Sequence, residues 1–392
     1  MSKINGPLQI NGPLQINRIG YMKNKKNSLN KFKVIHVITS PCGGGAELLV
    51  RELIPRINGL GINCKAAYFN YSAECAKKID FFDNELNLNV SYRSPFAIIA
   101  LRKLFKSELA DFSSLIIHAH LTWPLFFVAL ASLGLPVKLI FTEHDTTNSR
   151  RNSSVFKYIE RIIYNRYTSI IAITNGVKDS LQDWLGPGLS SKVSTILNGA
   201  RFFSFKERGP LGKCIKFISV GSLIPKKGFD RTIKALSKLE GINWQYEIIG
   251  EGPSRLELEQ LISSLGLQDK IILSGWSLAL EEGYYNANIQ LIPSRVEGFG
   301  LVAIEGMSTG LPVIASDLDG LNEVAPNSVD SCFLVKNSND IGEWVNTIKS
   351  CINALEKDMV YISQESYQHS QKFSLEKMTE SYVDLYRQVL NK

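Results

Sequence analysis

The stretch that most constrains this chain is residues 289 to 323, I-Q-L-I-P-S-R-V-E-G-F-G-L-V-A-I-E-G-M-S-T-G-L-P-V-I-A-S-D-L-D-G-L-N-E. An apolar run from Ile289 to Ile292 breaks at Pro293, and a polar loop follows with Glu297 and Gly298-Phe299-Gly300. A helical pattern then places Glu305 about two turns further on, and a second apolar run opens at Val313. The pattern predicts strand, loop, helix, strand, with two carboxylates eight positions apart across the loop-to-helix junction.

That spacing has a chemical use. The start of a helix gathers unpaired N–H groups and a partial positive charge, so the main chain of residues 299 to 301 can hold a phosphate. Carboxylates beside such a site would repel the phosphate itself. They suit neutral hydroxyls on either side of a diphosphate, where a nucleotide sugar carries its ribose and its hexose. A solvated loop residue and a solvated helix residue are the plainer reading of the same pair.

The segment E-G-F-G-L-V-A-I-E resembles the E-x7-E segment of the retaining glycosyltransferases of family 4, and G-L-P-V-I-A-S-D-L-D-G-L-N-E-V is similar to the rest of that family's donor site. The resemblance runs from about residue 33 to the end. It implies an α/β chain of GT-B architecture: two Rossmann-like domains across a cleft, nucleotide on the C-terminal one, acceptor on the N-terminal one, and a C-terminal helix crossing back. It further implies that Glu305 binds the ribose, that Glu297 touches the transferred sugar, and that the main chain of Phe299, Gly300 and Leu301 lies on sugar and diphosphate.

At 392 residues the chain exceeds one ordinary core, and two domains are the default. The expected division is a tail over 1–30, an acceptor-binding domain over 31–205, a nucleotide-sugar-binding domain over 206–370 and a returning helix over 371–392. Six cysteines, at 42, 64, 75, 214, 332 and 351, show no C-x-x-C or metal-ligand spacing. Their scatter fits a reducing cytoplasm better than secretion, and no metal site is expected.

Charge divides by half. Residues 1–210 hold 27 Lys+Arg against 14 Asp+Glu, a net +13, whereas residues 211–392 hold 17 against 23, a net −6. The first half calls for an anionic partner, either an anionic membrane surface or a pyrophosphate-linked acceptor. No helix-turn-helix, RNP-like or zinc-finger pattern supports nucleic acid.

The N-terminus repeats I-N-G-P-L-Q at 4–9 and 10–15, with a Gly-Pro in each copy, and continues into a polar basic run. Residues 1–30 are expected to be a disordered tail, not a signal peptide, because no apolar segment follows the charges.

From Lys33 the pattern alternates strand and helix. Phe32 to Thr39 runs into S-P-C-G-G-G-A-E-L-L, a glycine loop that opens a helix and lets backbone amides reach an anion. Leu48 replaces the third glycine of G-x-G-x-x-G, which disfavours a dinucleotide oxidoreductase. In the family the pair Gly44-Gly45 faces the donor diphosphate; a plain strand-to-helix turn is the alternative. Residues 95–107 predict an apolar helix with Arg102, Lys103 and Lys106 at its end, packed on the sheet rather than lying on a bilayer. The strand Leu115–Ile117 leads into His118 and His120, which strand alternation sends to one face, and His120 matches the family's active-centre histidine. The strand from Val137 ends in T-E-H-D, placing His144 at the same sheet edge on the acceptor side. Arg150, Arg151 and Lys157 are candidates for an acceptor pyrophosphate, with a solvated basic loop as the alternative. I-L-N-G-A-R is similar to the family's N-G-V-D turn and keeps Asn198, although Arg201 stands where an acid is usual. Residues 204–213 read as the interdomain linker.

In the second half, K-F-I-S-V-G-S-L-I-P-K-K-G predicts a strand and a loop in which Lys227 clamps the diphosphate. The family has an Arg five residues earlier, where this chain has Ser222. One guanidinium of the clamp is therefore missing, and Lys226 is a candidate substitute. G-E-G-P-S-R adds Gly252, and S-G-W-S adds Trp276, at the position whose main chain meets the base in the family.

The expectation is a metal-independent, retaining hexosyltransferase of cytoplasmic location, peripheral to the inner face of the plasma membrane, with no cofactor beyond its nucleotide-sugar donor of UDP or GDP type. His120, Glu297 and Lys227 would carry the chemistry, and a lipid-pyrophosphate-linked saccharide in surface polysaccharide assembly (O-antigen, capsule or exopolysaccharide) would accept the sugar. A sugar-nucleotide epimerase or phosphorylase of the same fold is the rival enzyme class, and a non-catalytic sugar-nucleotide-binding scaffold is the rival outside enzymes.

Overall fold

The structure, a computed structural model, describes residues 32–42, 44–71, 75, 83–145, 151, 153–277 and 279–391. The repeat-bearing tail and Arg150 lie outside the described residues.

Two parallel sheets organise the chain. The first contains β1 (Phe32–Ile38), β2 (Asn63–Tyr68), β3 (Glu85–Asn87), β4 (Ser114–His120), β5 (Val137–Glu143), β6 (Ser169–Ala172) and β7 (Val193–Thr195), in the order β3-β2-β1-β4-β5-β6-β7. The second contains β8 (Ile215–Val220), β9 (Trp244–Ile249), β10 (Ile271–Gly275), β11 (Ile289–Ile292), β12 (Val313–Ser316) and β13 (Cys332–Val335), in the order β10-β9-β8-β11-β12-β13. Both orders reverse direction beside their first strand, between β1 and β4 and between β8 and β11. Such switch points leave crevices at the carboxyl ends of the strands, where ligands of open α/β sheets bind.

The helices used below are α1 (Gly45–Gly59), α2 (Phe96–Asp111), α3 (Thr122–Ala131), α4 (Ser154–Asn165), α5 (Asn175–Leu185), α6 (Phe229–Leu236), α7 (Leu301–Ser308), α8 (Ile341–Ser370) and α9 (Leu375–Leu390). The central strands are buried on both faces, β1 without an exposed residue, as a sheet covered on both sides requires. Alternation decides which face each side chain enters. Ile35, Val37, Ile117 and Ala119 join the core under α2, α3 and α5, whereas Val34, Ile38 and Ile116 join the core under α1 and α9.

The closing helix follows the same logic. Ser374 caps α9 by accepting from the Lys377 amide, and Leu375, Met378, Tyr382, Val383, Tyr386 and Val389 are buried at helical spacing. These side chains lie in one cluster with Leu49, Leu53 and Ile57 of α1, so α9 returns to the first sheet. It docks where Gly199 admits it: a Cβ there would stand 2.6 Å from the Leu375 Cα. The preceding α8 runs 30 residues and changes direction at Asp358, whose φ and ψ are −156° and 83°.

The pairing of Cys42 with Cys75 corrects the reading of the cysteines as a mere scatter: they form a disulfide bond across 33 residues. Among the described residues Cys64, Cys214, Cys332 and Cys351 are free. Residues 204–213 are more than a connector, because Arg208 is buried and donates to the carbonyls of Tyr284, Ala287 and Thr309.

Candidate active site

The loop between β11 and α7 carries Glu297 at the carboxyl edge of the second sheet, next to the loop after β8 that carries Lys227. The Lys227 Nζ donates to Glu297 Oε2 at 2.6 Å, and Ser294 Oγ donates to the same oxygen at 3.2 Å. Four further bonds from Arg295 fasten its loop to the neighbouring loop and to α6. The Arg295 amide donates to the Lys226 carbonyl at 2.7 Å, its guanidinium donates to the Pro225 carbonyl at 2.8 Å, and both its terminal nitrogens donate to Asp230 on α6. Gly228, in the left-handed region at φ 68°, is needed for this approach, since a Cβ would lie 2.1 Å from the Pro293 carbonyl oxygen.

The charge balance of the candidate clamp is therefore internal. Glu297 and Lys227 neutralise each other, with their side chains 15% and 20% exposed. Ser222 and Lys226 are exposed in the loop after β8, so the position without its guanidinium opens to solvent. Gly252 packs on the same loop, where a Cβ would stand 2.4 Å from the Leu223 carbonyl oxygen. Trp276 is 59% exposed and thus no part of the core.

Gly300 caps α7 at φ 93°, a conformation that favours glycine, and opens the helix toward the cleft. The Phe299 ring is 3% exposed and packs edge-on against Phe373 at 5.8 Å, which leaves its main chain as the part available to a ligand. Glu305 follows on α7 and accepts from the Tyr284 hydroxyl at 3.3 Å. Burial pushes its carboxyl up to about 7, against the pull of Arg201 and Tyr284 in the other direction. A carboxylate so poised gains from any partner that donates two hydroxyl hydrogens to it.

The first sheet supplies the facing wall. A Cβ on Gly45 would stand 2.8 Å from Leu301 Cδ1, so the glycine loop faces the start of α7 directly. The Gly44 amide donates to Glu47 Oε2 at 3.0 Å, the Glu47 half of a capping box at the start of α1. His118 and His120 share a face, as alternation requires, but both are buried, His120 to 1% exposure. Both ring nitrogens of His120 are engaged, one with His36 at 2.9 Å and one with His144 at 3.1 Å. His144, half-buried at the end of β5, is the imidazole nearest the cleft, and a Cβ on Gly298 would stand 2.3 Å from its carbonyl oxygen. His120 thus lies behind His144, the one imidazole of the column that is partly exposed.

Other candidates lie elsewhere. Asn198 is buried beside the docking point of α9. Arg151 donates to Glu143 and to Ser180, and Lys157 sits over the Trp184 ring at 5.2 Å. Sequence reading missed Glu323, whose carboxylate accepts from the Asn175 and Gly176 amides at the start of α5 and so ties the two domains together. It also missed His36, 84 residues from the imidazole that it touches.

Two Rossmann-like sheets whose switch-point edges meet across paired carboxylates, a lysine and a glycine loop define a glycosyltransferase of GT-B fold. Residues 43–201 match the model of glycosyltransferase family 4 and residues 201–368 that of glycosyl transferases group 1, and the chain belongs to this family. A galactosyltransferase of Escherichia coli described as acting from UDP-Gal on α-D-GlcNAc-diphosphoundecaprenol is 27% identical over 82% of this chain and 88% of its own. A solved glycosyltransferase from Rickettsia africae superimposes with a TM-score of 0.79 at 22% identity, covering 92% of this chain and 99% of that one. The Anabaena protein HepE, solved with UDP, gives 0.76 at 20% identity over 91% and 100%.

Proposed function

We propose that this protein is a retaining, metal-independent hexosyltransferase that moves a sugar from a UDP- or GDP-type donor to a lipid-pyrophosphate-linked saccharide in surface polysaccharide assembly. The observation that carries the reading is the Lys227–Glu297 pair at 2.6 Å, whose Glu297 lies on the loop that leads into α7, the helix that bears Glu305. Donor binding would replace that pair by two ligand contacts, Lys227 to diphosphate and Glu297 to sugar hydroxyls, while Glu305 takes the ribose. The nucleotide would leave from the face on which the acceptor enters, its charge met by Lys227 and the amides that open α7; charge stabilisation of this preset kind usually supplies the largest part of the rate. Closure onto Gly45 and His144 would exclude water and align the acceptor hydroxyl.

The acceptor class is supported by the Escherichia coli relative, whose described substrate is diphosphoundecaprenol-linked. Association with an anionic membrane is supported by the +13 charge of residues 1–210 and by the outer face of α4, where Val155, Tyr158 and Ile162 are 70%, 70% and 54% exposed. No helix among the described residues is long and apolar enough to cross a membrane. The proposed cytoplasmic-face location rests on the acceptor, since the Cys42–Cys75 bond does not favour a reducing compartment.

The test is incubation with UDP- and GDP-sugars and a lipid-pyrophosphate-linked saccharide, with chelator present. A transferred sugar with the donor's anomeric configuration supports the reading. An epimer or a sugar phosphate from donor alone would favour the rival enzymes, and nucleotide binding without turnover on any acceptor would favour a scaffold.

A further inference from the structure

Four of the five histidines form one hydrogen-bonded column behind the cleft. Strand parity brings them together: His36 of β1 stands in register with His118 of β4, His120 stands in register with Thr142 of β5, and all face the side covered by α9. From the cleft inward, His144 Nε2 lies 3.1 Å from His120 Nδ1, His120 Nε2 lies 2.9 Å from His36 Nδ1, and His36 Nε2 lies 3.1 Å from the Tyr386 hydroxyl. That hydroxyl also lies 2.9 Å from His118 Nδ1. His118 Nε2 is 2.7 Å from Thr142 Oγ1, which is 3.2 Å from the Tyr382 hydroxyl. Although His36, His118 and His120 could group around an ion, all six of their ring nitrogens are occupied by these bonds, so no lone pair remains for a metal.

A neutral imidazole must donate on one side and accept on the other, and a hydroxyl that accepted on both sides would leave its own buried O–H without an acceptor in the column, so a column that satisfies its inner donors is polarised in one of two ways. Its buried end decides between them. The Tyr382 hydroxyl is fully buried, and Thr142 is its one partner among the described residues. Were the column to run inward, that O–H would have nothing to donate to, at a cost of about 1–3 kcal/mol. Running outward, Tyr382 donates to Thr142, Thr142 to His118, His118 to Tyr386, Tyr386 to His36, His36 to His120 and His120 to His144. Every one of the four imidazoles then carries its hydrogen on Nδ1. Burial keeps them neutral, drawing His36 down to about 3 and His144 to about 4, with His118 and His120 also well below the usual range.

We propose that His144 presents a fixed, neutral Nδ1–H donor to an oxygen of the bound substrate, and that Tyr386 of α9, acting through His36 and His120, is the positioning residue that imposes this tautomer. The proposal rests on the reading of the cleft as a glycosyl-transfer site and adds the direction of the hydrogen bond. It gives α9 a second task beyond packing, that of setting the polarity of a group at the opposite end of the column. It also bars His144 from accepting the proton of an acceptor hydroxyl, since its other nitrogen is engaged inside.

Long-range proton–nitrogen correlation spectra of histidine-labelled protein, assigned by single His→Gln substitutions, read each tautomer without substrate and so apart from any transfer activity. Four histidines are expected as Nδ1–H, and His369, whose Nε2 lies 2.7 Å from the Val324 carbonyl, serves as the Nε2–H reference. An Nε2–H tautomer at His144, or a doubly protonated ring at neutral pH, overturns the proposal. Tyr386→Phe keeps the ring and removes the O–H that donates to His36 Nε2, the link through which the polarity reaches the cleft. It is expected to convert the His144 signal to a mixture of tautomers and to lower kcat several-fold at nearly unchanged KM for donor, whereas Tyr382→Phe, which still leaves Thr142 to donate to His118, keeps His144 as Nδ1–H. An unchanged His144 signal in Tyr386→Phe would show that Tyr386 serves packing alone, which also overturns the proposal.

Discussion

The two walls of the cleft handle polarity in opposite ways. The C-terminal wall keeps ions and pairs them: Lys227 with Glu297, Arg295 with Asp230, and Glu305 poised between charge states. The N-terminal wall keeps imidazoles and strips them of charge by burial, linking them into a column instead. The contrast follows from position. Lys227 and Glu297 stand on loops past the strand ends, where solvent still screens them, whereas His36 and His120 stand inside strands covered by α9, where a lone charge would be costly. A wall of exchangeable ion pairs suits a diphosphate, and a wall of neutral donors suits hydroxyls.

The largest expected effect breaks the charged wall. Glu297→Ala should lower kcat by about a hundredfold or more, the scale of losing a preorganised polar contact, without weakening nucleotide binding, because Lys227 is freed. Lys227→Ala should weaken both, and steady-state kinetics with calorimetry separates the two variants. An unchanged rate in Glu297→Ala would remove that residue from the chemistry.

Next in size is the seam between the walls. Gly298→Ala would thrust a Cβ against the His144 carbonyl oxygen, a backbone atom that cannot turn aside. Displacement at the seam should cost roughly tenfold to a hundredfold in kcat/KM, with nucleotide affinity preserved. Loss of nucleotide affinity in that variant would mean that the walls do not act separately.

A smaller effect sharpens the contrast through pH. Burial pushes the Glu305 carboxyl up to about 7, and the proposed ribose contact needs its ionised form, so nucleotide affinity should rise about tenfold from pH 6 to pH 8. Glu305→Gln should flatten that profile. For stability the sign runs the other way: the folded state holds this proton more tightly than the unfolded chain, so the group's contribution falls as pH rises from about 4.5 to 7. The glutamine variant should lose that decline in a melting series.

The smallest effect belongs to the neutral wall. With folded-state values depressed, the histidines release their protons on folding, so the stability tied to them is lost only as pH falls below the usual imidazole range toward 3. Between pH 7 and 8 they should add no slope to a melting curve, and a slope that vanishes in His36→Gln would contradict their neutrality.

Local chemistry was legible in the sequence where it lies close in the chain. The strand, loop and helix around Glu297 and Glu305, the glycine loop after β1 and the strand Trp244–Ile249 all follow from periodicity and turn residues. What escaped depends on separation or brevity. β3 has three residues, too few to show alternation, and β2 reads N-C-K-A-A-Y, with no period to mark it. The disulfide joins cysteines 33 apart, and the histidine column closes through Tyr386, 350 residues from His36. The Lys227–Glu297 pair spans 70 residues, so both members could be named as site residues while their contact stayed hidden.

The account depends above all on a nucleotide diphosphate lying along the start of α7 with its ribose on Glu305. Calorimetric titration of UDP and of GDP into the wild type and into Glu305→Ala, at pH 8, tests it directly. The prediction is a specific exothermic binding of one nucleotide to the wild type, weakened about tenfold or more in the variant. Equal affinities in the two proteins, or no binding of either nucleotide, would contradict it.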